Sequence, residues 1–146
     1  MFQYLQRTYD CGNALGKGSS AQVFEVVDKL TGIKYACKVV HKHKNINDSI
    51  TMKTEMEIMK RMKHENIINL HELYETSNSQ WFILELANNG PLYTSLAGEV
   101  EYCEELIAGY FYQVLLGIQY LHSLGIVHRD LKQDNILCSI EVRYLL

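Results

Sequence analysis

The sequence predicts an α+β chain whose first part is rich in strands and whose second part is helical. Short apolar blocks bounded by turn residues, at 21–27, 33–40, 67–75 and 79–86, have the length and the alternation of strands. The apolar period lengthens to three and four in 50–63 and again from Glu104, as on the buried stripe of an amphipathic helix. Between the two parts lies ANNGPL at 87–92, which holds the chain's only proline and shows no period, so it reads as a connector.

Each element follows in order. Residues 1–8 read as a tail. In GNALGKGSSAQVFEVVDKLTGIKYACKVV, Leu15 precedes a glycine-bearing turn, Ala21–Val27 forms an apolar run, and Lys29–Gly32 forms a second turn. In IKYACKVV, Ile33, Tyr35, Cys37 and Val39 take one face of a strand, and Lys34, Ala36, Lys38 and Val40 take the other. The two runs make an antiparallel hairpin. Met52, Met56, Met59, Ile58 and Met62 then mark a helix, with Asp48 or Ser49 as its N-cap. IINLHELYE and SQWFILEL, separated by Thr76–Ser79, read as a second strand pair. Ile107, Phe111, Val114, Ile118 and Leu121 step by four, three, four and three along one face of a long helix, which Gly125 stops. The organisation is a tail (1–8), a strand-rich lobe with one helix (9–86), a hinge (87–93) and a helical part (94–146).

Composition narrows the function classes. With 146 residues, 47% hydrophobic and 21% charged, the chain is about one globular domain with a core to bury. A net charge of −3 gives no reason to expect nucleic-acid binding. The four cysteines, Cys11, Cys37, Cys103 and Cys138, are scattered and fit reduced thiols rather than a disulfide framework or a zinc site. No apolar run reaches the roughly 18 residues that span a bilayer, and MFQYLQRTYD lacks the order of a signal peptide. A cytoplasmic location, or a nuclear one, is expected, with no membrane partner. KVVHKHK reads as a solvated loop, and His41 and His43 have no acid or cysteine beside them to complete a metal set. His64-Glu65 fails as a zinc-protease motif because Ile68 stands where the second histidine belongs.

The chemistry gathers in three places. LGKGSSAQV (15–23) fits neither the Walker spacing nor the strand–glycine–helix order of dinucleotide sites. A glycine-bearing turn between strands serves either as a plain hairpin or as a cover over phosphates, because small residues let backbone amides approach. Lys38 either snorkels to solvent or points into a cleft. A cleft lysine needs a counter-charge, and Glu55, one turn from Met52 and Met59, suits this better than Glu57. HRDLKQDN (128–135) is the densest cluster. In it Asp130 could take a proton from a hydroxyl nucleophile, Lys132 could neutralise a transferring phosphoryl group, and Asn135 offers the hard oxygen that magnesium prefers. His128 and Arg129 read as structural.

These motifs, in this order, resemble the eukaryotic protein kinases, from about Tyr9 to Leu137. The resemblance implies that Leu15, Gly16, Gly18 and Val23 cover ATP, that Ala36 and Leu137 sandwich the adenine, and that Lys38, paired to Glu55, holds the α- and β-phosphates. It puts Leu84 at the gatekeeper position and the backbone of Glu85 and Ala87 on the adenine edge. Asp130 becomes the catalytic base and Asn135 a magnesium ligand, with ATP and Mg2+ as cofactors and a protein serine or threonine as substrate. Asp-Leu-Lys at 130–132 resembles the serine/threonine kinases. YACKVV and HENIINLHELYET resemble the calcium/calmodulin-dependent group.

The sequence also departs from that pattern. Ala21 replaces the third loop glycine, and Pro91 stands where a polar residue would meet the ribose. ILCSIEVRYLL, after Asn135, contains no aspartate and no Asp-Phe-Gly motif. The expectation is a kinase sequence truncated after its catalytic loop, weak or inactive alone, with an apolar helix face that a partner would cover. The alternative is a non-catalytic interaction or regulatory module.

Overall fold

The computed structural model describes residues 2–18, 21–42, 56–92, 94, 104–139 and 144–145. It forms two compact units, Met1–Met62 with Asn69–Leu86, and Lys63–Ile68 with Ala87–Leu146.

The first unit is an antiparallel five-stranded sheet. Helix α1 (Phe2–Thr8) leads into β1 (Tyr9–Lys17), β2 (Ala21–Asp28) and β3 (Lys34–His41). Helical residues 56–61, here α2, precede β4 (Leu70–Glu75) and β5 (Ser79–Glu85), and the strand order is β1-β2-β3-β5-β4. The unit thus holds α1 besides the single helix expected, in what reads from sequence as a tail.

Alternation decides the faces. Tyr35, Cys37 and Val39 fall on one side of β3, and the buried cluster Leu5, Tyr9, Val26, Cys37, Val39 and Ile83 packs there, with Phe24, Trp81 and Tyr74 against it. α1 supplies Leu5 to this cluster. The β2–β3 turn has a chemical cause. Asp28 Oδ1 accepts hydrogen bonds from the amides of Leu30 and Thr31, both 2.8 Å, while the Gly32 amide donates to the Asp28 carbonyl. Gly32 sits at φ 71°, where a side chain would be strained. The β4–β5 turn closes in the same way, with Thr76 Oγ1 accepting from the Ser79 amide at 2.8 Å.

In the second unit α3 (Glu104–Ser123) is the main element, with β6 (Gly90–Pro91), β7 (Leu137–Cys138) and β8 (Tyr144–Leu145) forming a small sheet. Leu124, Gly125 and Ile126 end α3. The Gly125 amide bonds the His122 carbonyl, the Ile126 amide bonds the Leu121 carbonyl, and Gly125 takes φ 72°. Lys63–Ile68 docks on α3: the Lys63 amide donates to Tyr120 Oη at 2.9 Å, His64 stacks on the Tyr120 ring, and Asn66 Nδ2 donates to Gln113 Oε1.

The apolar stripe read along α3 is buried in one part and exposed in another. Val114 and Leu121 are buried together with Gly117, but Ile107 and Phe111 are exposed, as are Tyr112 and Leu115. Helical period shows which residues share a face; it does not show how much of that face a neighbour covers. Among the described residues no helix is long and apolar enough to cross a membrane.

Candidate active site

Strand register places the first group of site residues. Gly16 pairs with Val23, Val23 with Lys38, and Lys38 with Phe82. Directly paired residues of an antiparallel sheet project to one face, so Val23, Lys38 and Phe82 share a side. Two residues along, Ala36 pairs with Leu84 and joins the same side, opposite the buried cluster. Val23 and Ala36 are half-buried, Leu84 is buried and Lys38 is exposed. An apolar floor results, with the Lys38 ammonium beside it.

The glycine turn stands at the end of this row. The Gly18 amide donates to the Ala21 carbonyl at 2.8 Å, closing the turn with Ala21 where a third glycine is usual. Among the described residues a Cβ built on Gly16 meets nothing within 4 Å, and Leu15 is 49% exposed. A glycine-bearing turn of this kind lets backbone amides approach a phosphate chain. Glu55, the expected partner of Lys38, lies outside the described residues.

At the end of β5 the Glu85 amide donates to the Asn69 carbonyl at 2.9 Å, and Glu85 Oε2 accepts from Asn69 Nδ2. A backbone contact from Glu85 to a ligand must therefore come through its carbonyl oxygen. A cavity of about 340 Å³ in this unit, lined by Tyr35, Leu70, His71, Glu85 and Leu86 among others, shares only Glu85 with the residues assigned to the nucleotide.

In the second unit Ala87 closes a turn by accepting from the Gly90 amide, and Leu137 pairs with Pro91 across β6 and β7. Loop 128–135 builds the second group. A 3-10 turn at Gln133–Asn135, closed by the Asn135 amide on the Lys132 carbonyl at 3.0 Å, folds Asn135 back onto Asp130. Asn135 Nδ2 donates to the Asp130 carbonyl at 2.7 Å and to Asp130 Oδ2 at 2.8 Å. Lys132 Nζ lies 3.0 Å from the same Oδ2. Asp130, Lys132 and Asn135, picked out by residue type, thus form one connected cluster. Arg129 takes φ 65°, a costly conformation for a residue with a side chain, and it directly precedes Asp130.

Lys132, then the Asn135 amide, hold the Asp130 carboxyl below the usual carboxylate range. It is therefore ionised at neutral pH and aimed by two partners. Asn135 spends its amide nitrogen on Asp130, and its carbonyl oxygen is the atom suited to a hard cation. Among the described residues no group of three or more His, Cys, Asp or Glu side chains gathers for a metal. The donor that fits magnesium is thus the amide oxygen of Asn135. Gly12, to which no motif assigns a role, lies where an added Cβ would stand 3.2 Å from Glu25 Oε1 on β2.

A family model described as protein kinase domain matches residues 9–145. The chain is similar to a probable myosin light chain kinase of Dictyostelium discoideum, 36% identical over 129 residues, covering 88% of this chain and 41% of that protein. It is similar to the probable serine/threonine-protein kinase fhkC of the same organism, 36% identical over 144 residues, covering 97% and 24%. Serine/threonine-protein kinase DCLK2 of Mus musculus is 36% identical over 133 residues, covering 91% and 18%. The chain spans between 18 and 41% of the length of these relatives.

Proposed function

This chain belongs to the protein kinase domain family, of the serine/threonine kind, and we propose that it binds Mg-ATP and, weakly when alone, passes the γ-phosphoryl group to a protein serine or threonine hydroxyl. The observation that carries the reading is the Asp130–Lys132–Asn135 cluster. An ionised carboxylate fixed by an ammonium and an amide can orient a hydroxyl and take its proton as the oxygen attacks. Lys132 places positive charge beside that carboxylate, where it also offsets charge on a phosphoryl group.

Val23, Ala36 and Leu84 supply the apolar surface for adenine, while Gly16 and Gly18 admit the phosphates and Lys38 binds them by charge-assisted hydrogen bonds. Magnesium, when bound with the nucleotide, neutralises phosphate charge, and Asn135 would hold it through its amide oxygen. In the same reading Ile107, Phe111, Tyr112 and Leu115, exposed on α3, are a surface for a protein partner, and the chain works in the cytoplasm.

The test is transfer from Mg-ATP to a serine- and threonine-containing peptide by the wild-type chain and by Asp130→Asn. Loss of the base should slow transfer by about 10²- to 10⁴-fold at an unchanged melting temperature. Equal rates would overturn the assignment of Asp130. A wild type that binds nucleotide but transfers nothing would favour the non-catalytic module.

A further inference from the structure

We infer that Gly12, outside the glycine turn itself, is a positioning residue that sets where β1 carries Gly16 and Gly18. This rests on the nucleotide reading above.

A Cβ at Gly12 would lie 3.2 Å from Glu25 Oε1, 3.3 Å from Glu25 Cβ and 3.3 Å from the Glu25 backbone oxygen. Those contacts are too close for a methyl group unless something moves. The register shifts between Cys11 and Ala14, so Gly12 lies in a bulge where β1 leans onto β2, and it shifts again between Ala14 and Gly16.

The neighbour has little freedom to yield. Glu25 pairs with Ala36 in the middle of β2, which is hydrogen-bonded on both edges, by β1 and by β3. Its carboxylate is tied to Lys34 Nζ at 3.1 Å. β1, in contrast, is the edge strand of the order β1-β2-β3-β5-β4 and among the described residues has no strand on its outer side. Added bulk at Gly12 is therefore relieved by β1 moving away from β2. β1 runs from Tyr9 to Lys17 and carries Gly16, which pairs with Val23, while Gly18 bonds Ala21. Displacement at Gly12 thus reaches the turn that meets phosphates, four residues on. Gly16 differs in kind: its Cβ would meet nothing within 4 Å among the described residues, so substitution there acts on a ligand rather than on β2.

The experiment compares wild type, Gly12→Ala, Gly16→Ala and Gly12→Ala/Glu25→Gly by Mg-ATP titration, thermal melting without nucleotide, and amide exchange at Gly16 and Gly18. Gly12→Ala should weaken nucleotide affinity about 3- to 10-fold and speed exchange at both amides. Gly16→Ala should weaken affinity without changing exchange at Gly18. The double variant removes the Glu25 side-chain contacts, so it should regain part of the affinity even though a strand-interior glycine lowers its melting temperature further. Recovery of binding with loss of stability is a pairing that a purely structural role for Gly12 does not produce. Unchanged exchange in Gly12→Ala, or a double variant that binds no better than the single, would overturn the inference. If wild type binds no Mg-ATP, the nucleotide reading fails, and the exchange comparison still decides whether Gly12 positions the turn.

Discussion

One face of the five-stranded sheet buries Tyr9, Val26, Cys37, Val39 and Ile83, whereas loop 128–135 leaves Arg129, Asp130, Lys132 and Asp134 exposed. The first region is shaped by apolar contact, and its polar groups are few and tied, as where Tyr9 Oη donates to Glu72 Oε2 at 2.9 Å. The second is shaped by directional bonds around Asp130 and by the left-handed Arg129. Damage to the sheet should therefore appear as lost stability, and damage to the loop as lost chemistry at unchanged stability. The Asp130→Asn comparison is the largest effect expected from the loop side.

From the sheet side, Ile83→Ala should be the most damaging change. Ile83 is 0% exposed, and truncating such a residue costs about 2–5 kcal/mol. Denaturant unfolding measures this directly. A cost below about 1 kcal/mol would mean that the cluster is not the scaffold.

A smaller effect separates the two regions by pH. Burial pushes the Cys37 thiol up from 9.0 to about 11, and burial followed by the Glu72 hydrogen bond raises the Tyr9 phenol further. Between about pH 9 and pH 11 the folded chain keeps a Cys37 proton that the unfolded chain releases, so stability falls as pH rises through that window. Cys37→Val should flatten the fall between these limits, read from melting temperature against pH. A slope identical to wild type would contradict it. Thiol reagents should modify exposed Cys11 in the native protein and buried Cys37 only on unfolding.

The smallest effect is a gain. Gln80 is 2% exposed, its Nε2 contacts Met56 Sδ at 2.8 Å, and its Oε1 has no partner among the described residues. Gln80→Met removes a buried, unsatisfied carbonyl and should stabilise the chain by about 1 kcal/mol. A fall in melting temperature would show that Oε1 is satisfied after all.

How much of this could be read from the chain alone depends on how local each cause is. The hairpin at 21–41 could be read because alternation in IKYACKVV and the Asp28–Gly32 turn are encoded in adjacent residues. Helix α1 could not: FQYLQRT has no acid in its first turn, and what holds it is Leu5 in a cluster with residues as distant as Ile83. HRDLKQDN gave away its residues by type, but the Asp130–Asn135 bonds depend on the 3-10 turn between them. Exposure of Ile107 and Phe111 depends on what lies beside α3, which period does not encode. Gly12 escaped because its constraint comes from Glu25 across the strand pair and from no spacing pattern.

The central claim is that the face bearing Lys38 is a nucleotide site on a scaffold packed from the other side. Lys34 offers the sharpest control, since it lies on the same strand and the same face but pairs with Glu25. Calorimetric titration of Mg-ATP into wild type, Lys34→Met and Lys38→Met tests the claim most directly. The account predicts equal Kd for the first two and a Kd raised about 10- to 100-fold for Lys38→Met, the loss of a charged hydrogen bond. One Kd shared by all three proteins would contradict it.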